Sequence, residues 1–216
     1  MAKKHLKKET VNHFEHDYIT GLLVKLYRVF TAHKKVILTC VLVIAIVGGG
    51  FGICTWRHHV KQENSWKELY MAVMFGDINS LDLVSEKFPK SSAALYAQYY
   101  KADRLFSEGD YAAAVPLFTE VAASKNIDMA AAAQLSLAVS YQAMENYEQS
   151  VKAANEFITK YPNHFAVAQA YLTLALSQEL SGLKQPAIDN YKILEARYSG
   201  TYFGTFAVNK LKELVK

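Results

Sequence analysis

The sequence predicts an all-α protein in which a single N-terminal transmembrane helix precedes a helical-repeat solenoid. Two observations support this fold class. The 21 consecutive residues 36–56 carry no charge, and from residue 60 onward apolar residues recur every three to four positions with little proline. No segment shows the alternation that is typical of a half-buried strand.

The uncharged run 36–56 is long enough to cross a bilayer. At about 1.5 Å per residue its 21 residues form a helix of about 31 Å, close to the thickness of the hydrocarbon core. A cleavable signal peptide has a shorter apolar core and a shorter leader, and neither Cys40 nor Cys54 follows a small residue as a lipidation site requires. Because lysine and arginine flank the run, it fits hydrocarbon better than a buried core helix. We interpret it as one uncleaved span.

The charge distribution predicts the topology. Residues 1–35 contain eight Lys or Arg against three acidic residues, whereas residues 57–216 contain 16 against 17. Basic flanking segments stay in the cytoplasm, so we expect a cytoplasmic N-terminus and an exported domain at 57–216. A near-neutral exported domain argues against nucleic-acid binding.

Two features of the N-terminal region suggest contacts with lipid or with a second helix. Within the basic segment 1–35, the apolar spacing at about 18–30 predicts an amphipathic helix lying on the membrane surface; a helix that docks on a partner and an unstructured approach to the span are the alternatives. Gly48 and Gly52 form a GxxxG pair that would let two spans approach closely, so a homodimer is possible.

The region after the span repeats itself. Tyr111, Tyr147 and Lys184 follow equivalent turns at intervals of 36 and 37 residues, near the 34 residues of a tetratricopeptide repeat. Small residues recur around them, on the first helices at Ala102, Ala138 and Ala175 and on the second helices at Ala114, Ser150 and Ala187. The packing position that follows on the second helices is occupied by Phe118, Ala154 and Tyr191. This pattern predicts a tetratricopeptide-like solenoid, with an irregular helical bundle as the alternative. A shorter first pair and a final helix, with Phe206, Leu211, Leu214 and Val215 on one face, would close its two ends.

The complete layout resembles a known family. A basic start "MAKKHLKK", one span, and a repeat domain with helix ends "KFP" and "KYP" are similar to the YfgM-type ancillary subunits of the Sec translocon. The resemblance implies a periplasmic scaffold that is anchored in a bacterial inner membrane and meets translocon subunits, periplasmic chaperones or exported clients. The segments "KYPNH" and "RYSGTYFGTFAVNKLKEL" also resemble periplasmic repeat proteins of outer-membrane assembly and of the Tol-Pal system, which implies an envelope tether or adaptor instead.

The sequence shows binding features and no catalytic motif. No nucleotide-binding loop, metal motif or paired metal-binding carboxylates occur, so we expect a protein-binding module without cofactor, catalytic residues or metal. On the first helix of the first full repeat, Tyr96, Tyr99, Asp103 and Phe106 follow at i, i+3, i+7 and i+10. Such a row would suit apolar peptide segments with an occasional basic residue, unless these aromatic side chains belong to the core.

Overall fold

The computed structural model describes residues 20–215, and all regular structure within this range is helical. The predicted all-α fold class is confirmed. The helices in chain order are α1 at 20–32, α2 Lys34–Phe75, α3 Ile78–Lys87, α4 Ser92–Ser107, α5 Tyr111–Ala122, α6 Ile127–Ala143, α7 Tyr147–Lys160, α8 Val167–Leu180, α9 Lys184–Arg197 and α10 Tyr202–Leu214. The contacts divide the chain between Val60 and Lys61.

The first unit contains α1 and the apolar part of α2. Helix α1 covers most of the predicted segment at about 18–30, whose first two residues lie outside the described range. The most apolar 18-residue window of α2 has a mean hydropathy of 2.6, and none of it is buried. By length and composition α2 could cross a membrane, as the sequence predicts.

The second unit is a tetratricopeptide-like solenoid built from helical pairs. Each helix from α3 onward contacts the next one, and contacts also join α4 to α6, α6 to α8 and α8 to α10. The first helices of successive pairs therefore form one layer. The second helices α5, α7 and α9 begin at Tyr111, Tyr147 and Lys184, the three positions whose spacing revealed the repeat.

Small side chains allow these helices to pack closely. A side chain larger than serine at these points would push neighbouring backbones apart, and each small position is fully buried. One turn further along each second helix, a buried phenylalanine, alanine or tyrosine fills the remaining space. The small positions are Ala102, Ala138, Ala175, Ala114, Ser150 and Ala187, and the filling positions are Phe118, Ala154 and Tyr191.

The turns inside the pairs share one backbone conformation. Gly109, Glu145 and Gly182 have φ of 87°, 59° and 82°, the left-handed region that ends many helices. The following N–H donates to a carbonyl five residues earlier in all three turns, at 2.8 to 2.9 Å. Glycine adopts this conformation without a Cβ clash, so among the three residues the conformation is unfavourable only for Glu145.

A partly buried polar network joins α8 and α9, the last helical pair, to the final helix α10. The Tyr191 hydroxyl donates to Glu179 Oε2 at 2.7 Å, and Lys210 Nζ donates to Glu179 Oε1 at 2.9 Å. Burial, reinforced by the hydrogen bond to Glu179, raises the pKa of the Tyr191 phenol far above its ordinary value. The hydrogen bond to Glu179 likewise raises the pKa of Lys210. One carboxylate thus links α8, α9 and α10.

The two ends of the solenoid differ from the repeats in the predicted way, with one correction. The first pair, formed by the last part of α2 and the ten residues of α3, is shorter and packs through Leu69, Leu81 and Val84. Helix α10 closes the other end and packs Phe206, Leu211 and Leu214 inward. The prediction for Val215 was wrong. It follows the end of α10 and is exposed, because the helical face that it would have continued ends at Leu214.

Candidate functional site

Several aromatic side chains line a surface hollow on the layer of first helices. This hollow, which we name the first-helix pocket, has a volume of about 320 Å³. Helices α4 and α6 supply its two long walls, and the loop between α7 and α8 supplies its third side. Its lining residues are Tyr99, Asp103 and Phe106 from α4, Phe118 from α5, Ala132, Leu135, Ser136 and Val139 from α6, and His164, Phe165, Ala166 and Gln169 from the loop and α8.

Helix α4 places its three pocket residues on one face because they are four and then three residues apart. Tyr99 packs edge-on against the buried Phe118, with ring centroids 5.6 Å apart, and its hydroxyl lies 3.5 Å from Ser136 Oγ on α6. Phe106 packs against Tyr111 at 5.0 Å. Both rings are half-buried. They are therefore part of the core on one side and part of the pocket wall on the other.

Asp103 supplies the one carboxylate of the pocket lining. Its side chain is exposed, and among residues 20–215 no lysine, arginine or histidine forms a salt bridge with it. Two other acidic side chains of this region are already paired, since Asp82 binds Lys101 at 2.7 Å and Glu68 binds Lys87. A cation approaching the pocket would meet Asp103 without displacing an existing partner.

The loop after α7 places an exposed aromatic ring at the pocket. Phe165 is 92% exposed, and its ring lies against His164 with centroids 4.3 Å apart and planes 33° from parallel. His164 in turn meets the fully buried Phe157 edge-on at 5.4 Å and accepts a hydrogen bond at Nδ1 from the Ala166 N–H at 3.2 Å. Phe165 is thus supported by a residue that is anchored to the core.

The predicted aromatic row does not reach the pocket as a whole. Tyr99, Asp103 and Phe106 line it, but Tyr96 does not. The Tyr96 ring lies edge-on to Trp66 of α2 at 5.1 Å and packs against buried residues of the first pair and of the first full repeat. Tyr96, the first residue of the row, is therefore in contact with Trp66, a residue from outside the repeat.

The sequence analysis missed His164 and Phe165. Aligning "KYPNHF" with "KFPKSS" pairs Phe165 with Ser92, so an aromatic ring stands where the earlier repeat has a small polar residue. This difference between the two repeats is the sequence signal that could have identified Phe165, because the helical period does not explain a large apolar residue in a turn.

The remaining predicted contact residues lie on α2. A Cβ added at Gly48 or Gly52 would have no neighbouring atom within 4 Å, so both present open surface. Their contact with a second helix stays a prediction. Over the described range, no three His, Cys, Asp or Glu side chains are grouped so that they could hold a metal ion.

Comparison with known proteins supports the repeat assignment. The family model of a tetratricopeptide repeat matches residues 132–164, which include most of α6, all of α7 and the loop to His164. No curated protein matches the chain. Helical repeats of this type generally bind protein partners and typically serve as non-catalytic scaffolds.

Two similar solved structures extend the likeness over most of the chain. One is a crystal structure of nearly identical TPR-like repeats from a Podosopora anserina protein described as a kinesin light chain; it covers 73% of this chain and 85% of its own, with 18% identity and a TM-score of 0.54. A second crystal structure, of a single-substitution variant of those repeats, gives 18% identity, 73% and 84% coverage and the same TM-score. At this identity the likeness shows the fold alone, which is a tetratricopeptide-type repeat domain.

Proposed function

We propose that the protein is a membrane-anchored scaffold that binds other proteins through the first-helix pocket. The observation that carries this proposal is the pairing of an apolar pocket with two exposed groups at its edge, the Phe165 ring and the Asp103 carboxylate, which has no salt-bridge partner among residues 20–215. Exposed aromatic rings and single charges beside apolar surface are typical of sites where a few residues supply most of the binding energy.

The size of the pocket indicates what kind of ligand it takes. Its volume of about 320 Å³ is near the lower end of the roughly 300 to 1,000 Å³ found for small-molecule sites. Such a space suits one or two large apolar side chains of an extended segment better than the face of a folded protein. Asp103 would then favour a segment with lysine or arginine next to the apolar residues.

The membrane anchor forms the second part of the proposal. We assign residues 1–35 to the cytoplasm, with α1 on the membrane surface, residues 36–56 to the span, and residues 57–216 to the periplasm. The apolar window of α2 and the basic residues before it support this assignment. A reporter enzyme fused after Lys216 should be active only outside the cytoplasm; cytoplasmic activity would contradict the topology and the periplasmic function together.

The partners are proposed from the family resemblance. A scaffold of this layout at the Sec translocon would meet translocon subunits, periplasmic chaperones or exported clients, as well as the lipid around its span. A tether of the Tol-Pal or outer-membrane assembly type is the second candidate. It is favoured by the segment "KYPNH", which supplies His164 to the pocket and on which that resemblance partly rests.

Crosslinking from the pocket in living cells tests the function. The photoreactive residue p-benzoylphenylalanine placed at Phe165 in the full-length chain should capture partner proteins, which mass spectrometry then identifies. Tyr202 is also well exposed but lies on α10, outside the pocket, so the same residue there is the matched control. Translocon subunits, chaperones or exported proteins captured at 165 and not at 202 support the first candidate, and Tol-Pal or outer-membrane assembly components support the second. Equal capture at both positions would contradict a binding role for the pocket.

A further inference from the structure

The lining of the first-helix pocket carries a negative charge. Among its lining residues, all of which lie within 20–215, Asp103 is the one acidic side chain, and no lysine or arginine is present. His164 Nδ1 accepts a hydrogen bond from the Ala166 N–H, an arrangement in which this nitrogen carries no proton. An anion entering the pocket would therefore meet a carboxylate, whereas a cation would meet a group of opposite charge.

Phe165 adds one open aromatic face to the same pocket. One side of its ring lies against His164, with centroids 4.3 Å apart, but the side chain as a whole is exposed, so the other side of the ring is free. The remaining phenyl and phenol rings of the lining are less accessible, since Tyr99 and Phe106 are half-buried and Phe118 is buried. The pocket thus presents one free ring face and not a cage of several faces.

One ring face beside one carboxylate distinguishes among cations. A quaternary ammonium is bound best by several aromatic faces around it, and the lysine ammonium is a compact charge that stays strongly hydrated. The arginine guanidinium is planar and more weakly hydrated. It can stack on an aromatic ring while its N–H groups donate to a carboxylate. Phe165 and Asp103 supply these two contacts, which match a guanidinium better than an ammonium.

The pocket also offers hydrogen-bond acceptors for the N–H groups that a carboxylate leaves free. A guanidinium has five N–H donors, and a carboxylate takes two of them in a bidentate pair. Gln169 of α8 lines the pocket with an exposed side chain, and its amide forms no hydrogen bond within residues 20–215. The amide oxygen of Gln169 can therefore accept from the bound group. Ser136, whose Oγ lies 3.5 Å from the Tyr99 hydroxyl, is a second acceptor in the lining.

We propose that the first-helix pocket is selective for arginine, and that it binds extended protein segments in which an arginine lies next to large apolar residues. The guanidinium stacks on Phe165 and donates to the Asp103 carboxylate, while the apolar neighbours occupy the space beside Tyr99 and Phe106. This inference rests on the protein-binding role proposed above and names the chemistry of the bound segment. Asp103 attracts lysine and arginine alike, so the Phe165 ring is the residue that separates the two.

Matched peptides test the preference for arginine. Full-length protein in lipid nanodiscs is titrated with a short labelled peptide containing leucine, phenylalanine and one arginine, and with the same peptide carrying lysine or citrulline in that place. The arginine peptide should bind about fivefold more tightly than the lysine peptide, the size expected for a cation–π contact at an exposed site. Citrulline keeps the planar shape without the charge, and its peptide should bind about tenfold more weakly than the arginine peptide. Equal affinities for arginine and lysine would overturn the inference.

Two substitutions assign the preference to its residues. Phe165→Leu keeps a large apolar side chain but removes the aromatic face, so it should reduce the preference for arginine over lysine to less than about twofold. Asp103→Asn should weaken binding of both peptides, because both carry a positive charge. Tyr202→Leu replaces an exposed ring on α10, outside the pocket, and should change neither affinity. A full preference for arginine in Phe165→Leu would show that the ring does not select it.

Failure of this inference and failure of the proposed function give different results. If the arginine and lysine peptides bind equally well and Phe165→Ala weakens both, the selectivity is overturned and the binding scaffold stands. If no peptide binds and the photoreactive residue at 165 captures no protein, both are overturned.

Discussion

The segment 36–56 and the repeat helices α4 to α9 are both rich in apolar residues, but they expose them in opposite ways. In the segment every residue except the half-exposed Ile37 is exposed, all around the helix. In the repeat helices most apolar residues are buried or half-buried, whereas Phe165, in the loop beside the first-helix pocket, is 92% exposed. Exposure around a whole helix suits an apolar solvent such as lipid, whereas exposure at one point suits a specific ligand.

The largest effect is expected when charge is placed in the segment 36–56, which tests whether lipid surrounds it. Val43→Arg with Ile46→Arg puts two arginines at the middle of the proposed span, at a cost of about 5 to 7 kcal/mol on the translocon-insertion scale. The chain should then lose its resistance to alkaline extraction from membranes. Val43→Leu with Ile46→Leu is the matched control and should stay in the membrane. Full retention of the arginine variant would show that lipid does not surround this segment.

Overpacking tests whether small buried side chains are required in the repeat domain. Ala114→Leu adds three carbon atoms at a fully buried helix contact and should destabilise the fold by about 3 kcal/mol, the upper part of the usual range. Thermal unfolding should move down by about 2 to 4 °C for each kcal/mol. Ala112→Leu, two residues earlier on the exposed side of α5, should leave the midpoint nearly unchanged. Equal effects of the two substitutions would contradict the proposed packing.

Tyr191 tests a polar contact inside the same layer. Tyr191→Phe removes the hydrogen bond to the Glu179 carboxylate and should lower the free energy of unfolding by about 2 kcal/mol near pH 7. Tyr147→Phe, at the start of another second helix and without a side-chain hydrogen bond to the described residues, is the control.

The pH dependence gives an independent readout of that contact. Folding raises the pKa of Tyr191 above its ordinary 10.0 and that of Lys210 above 10.5. Both groups hold their protons more tightly in the folded state, so their contribution is complete below about pH 10 and is lost as the pH rises through the folded-state values. Denaturant titrations should show a shallower alkaline decline for Tyr191→Phe than for the parent chain. An identical decline would exclude Tyr191 as a source of it.

The smallest predicted effect concerns the turns that the repeats share. Glu145→Gly should stabilise the protein by about 0.5 to 1 kcal/mol, because glycine accepts the left-handed conformation that Gly109 and Gly182 already occupy. The reciprocal change Gly109→Glu should destabilise it by a similar amount. Chemical denaturation of both variants gives the comparison, and a loss of stability in Glu145→Gly would show that the Glu145 side chain makes a contribution the turn conformation does not explain.

The sequence predicted the helix order and repeat register well, because these depend on local periodicity. Small residues such as Ala138 and Ser150 recur at fixed intervals, and the starts of α5, α7 and α9 follow from them. The site was harder to predict because it depends on which helices become neighbours. The spacing put Tyr96 in line with Tyr99, but only the fold brings Trp66 against it. Phe165 has no helical period at all, and its position beside α4 and α6 is set by packing between distant segments.

The most direct test of the central claim compares binding with stability at Phe165 and Asp103. Full-length protein in lipid nanodiscs is titrated with a labelled twelve-residue peptide containing leucine, phenylalanine and one lysine, and with the same peptide carrying glutamate for lysine. Phe165→Ala should weaken binding of the lysine peptide about tenfold, or 1.4 kcal/mol, and Asp103→Asn should remove most of the preference for lysine over glutamate. Both variants should keep the parent melting curve, because exposed substitutions usually change stability by less than about 0.5 kcal/mol. Unchanged affinity in both variants, or binding lost only together with the folded state, would contradict a protein-binding role for the first-helix pocket.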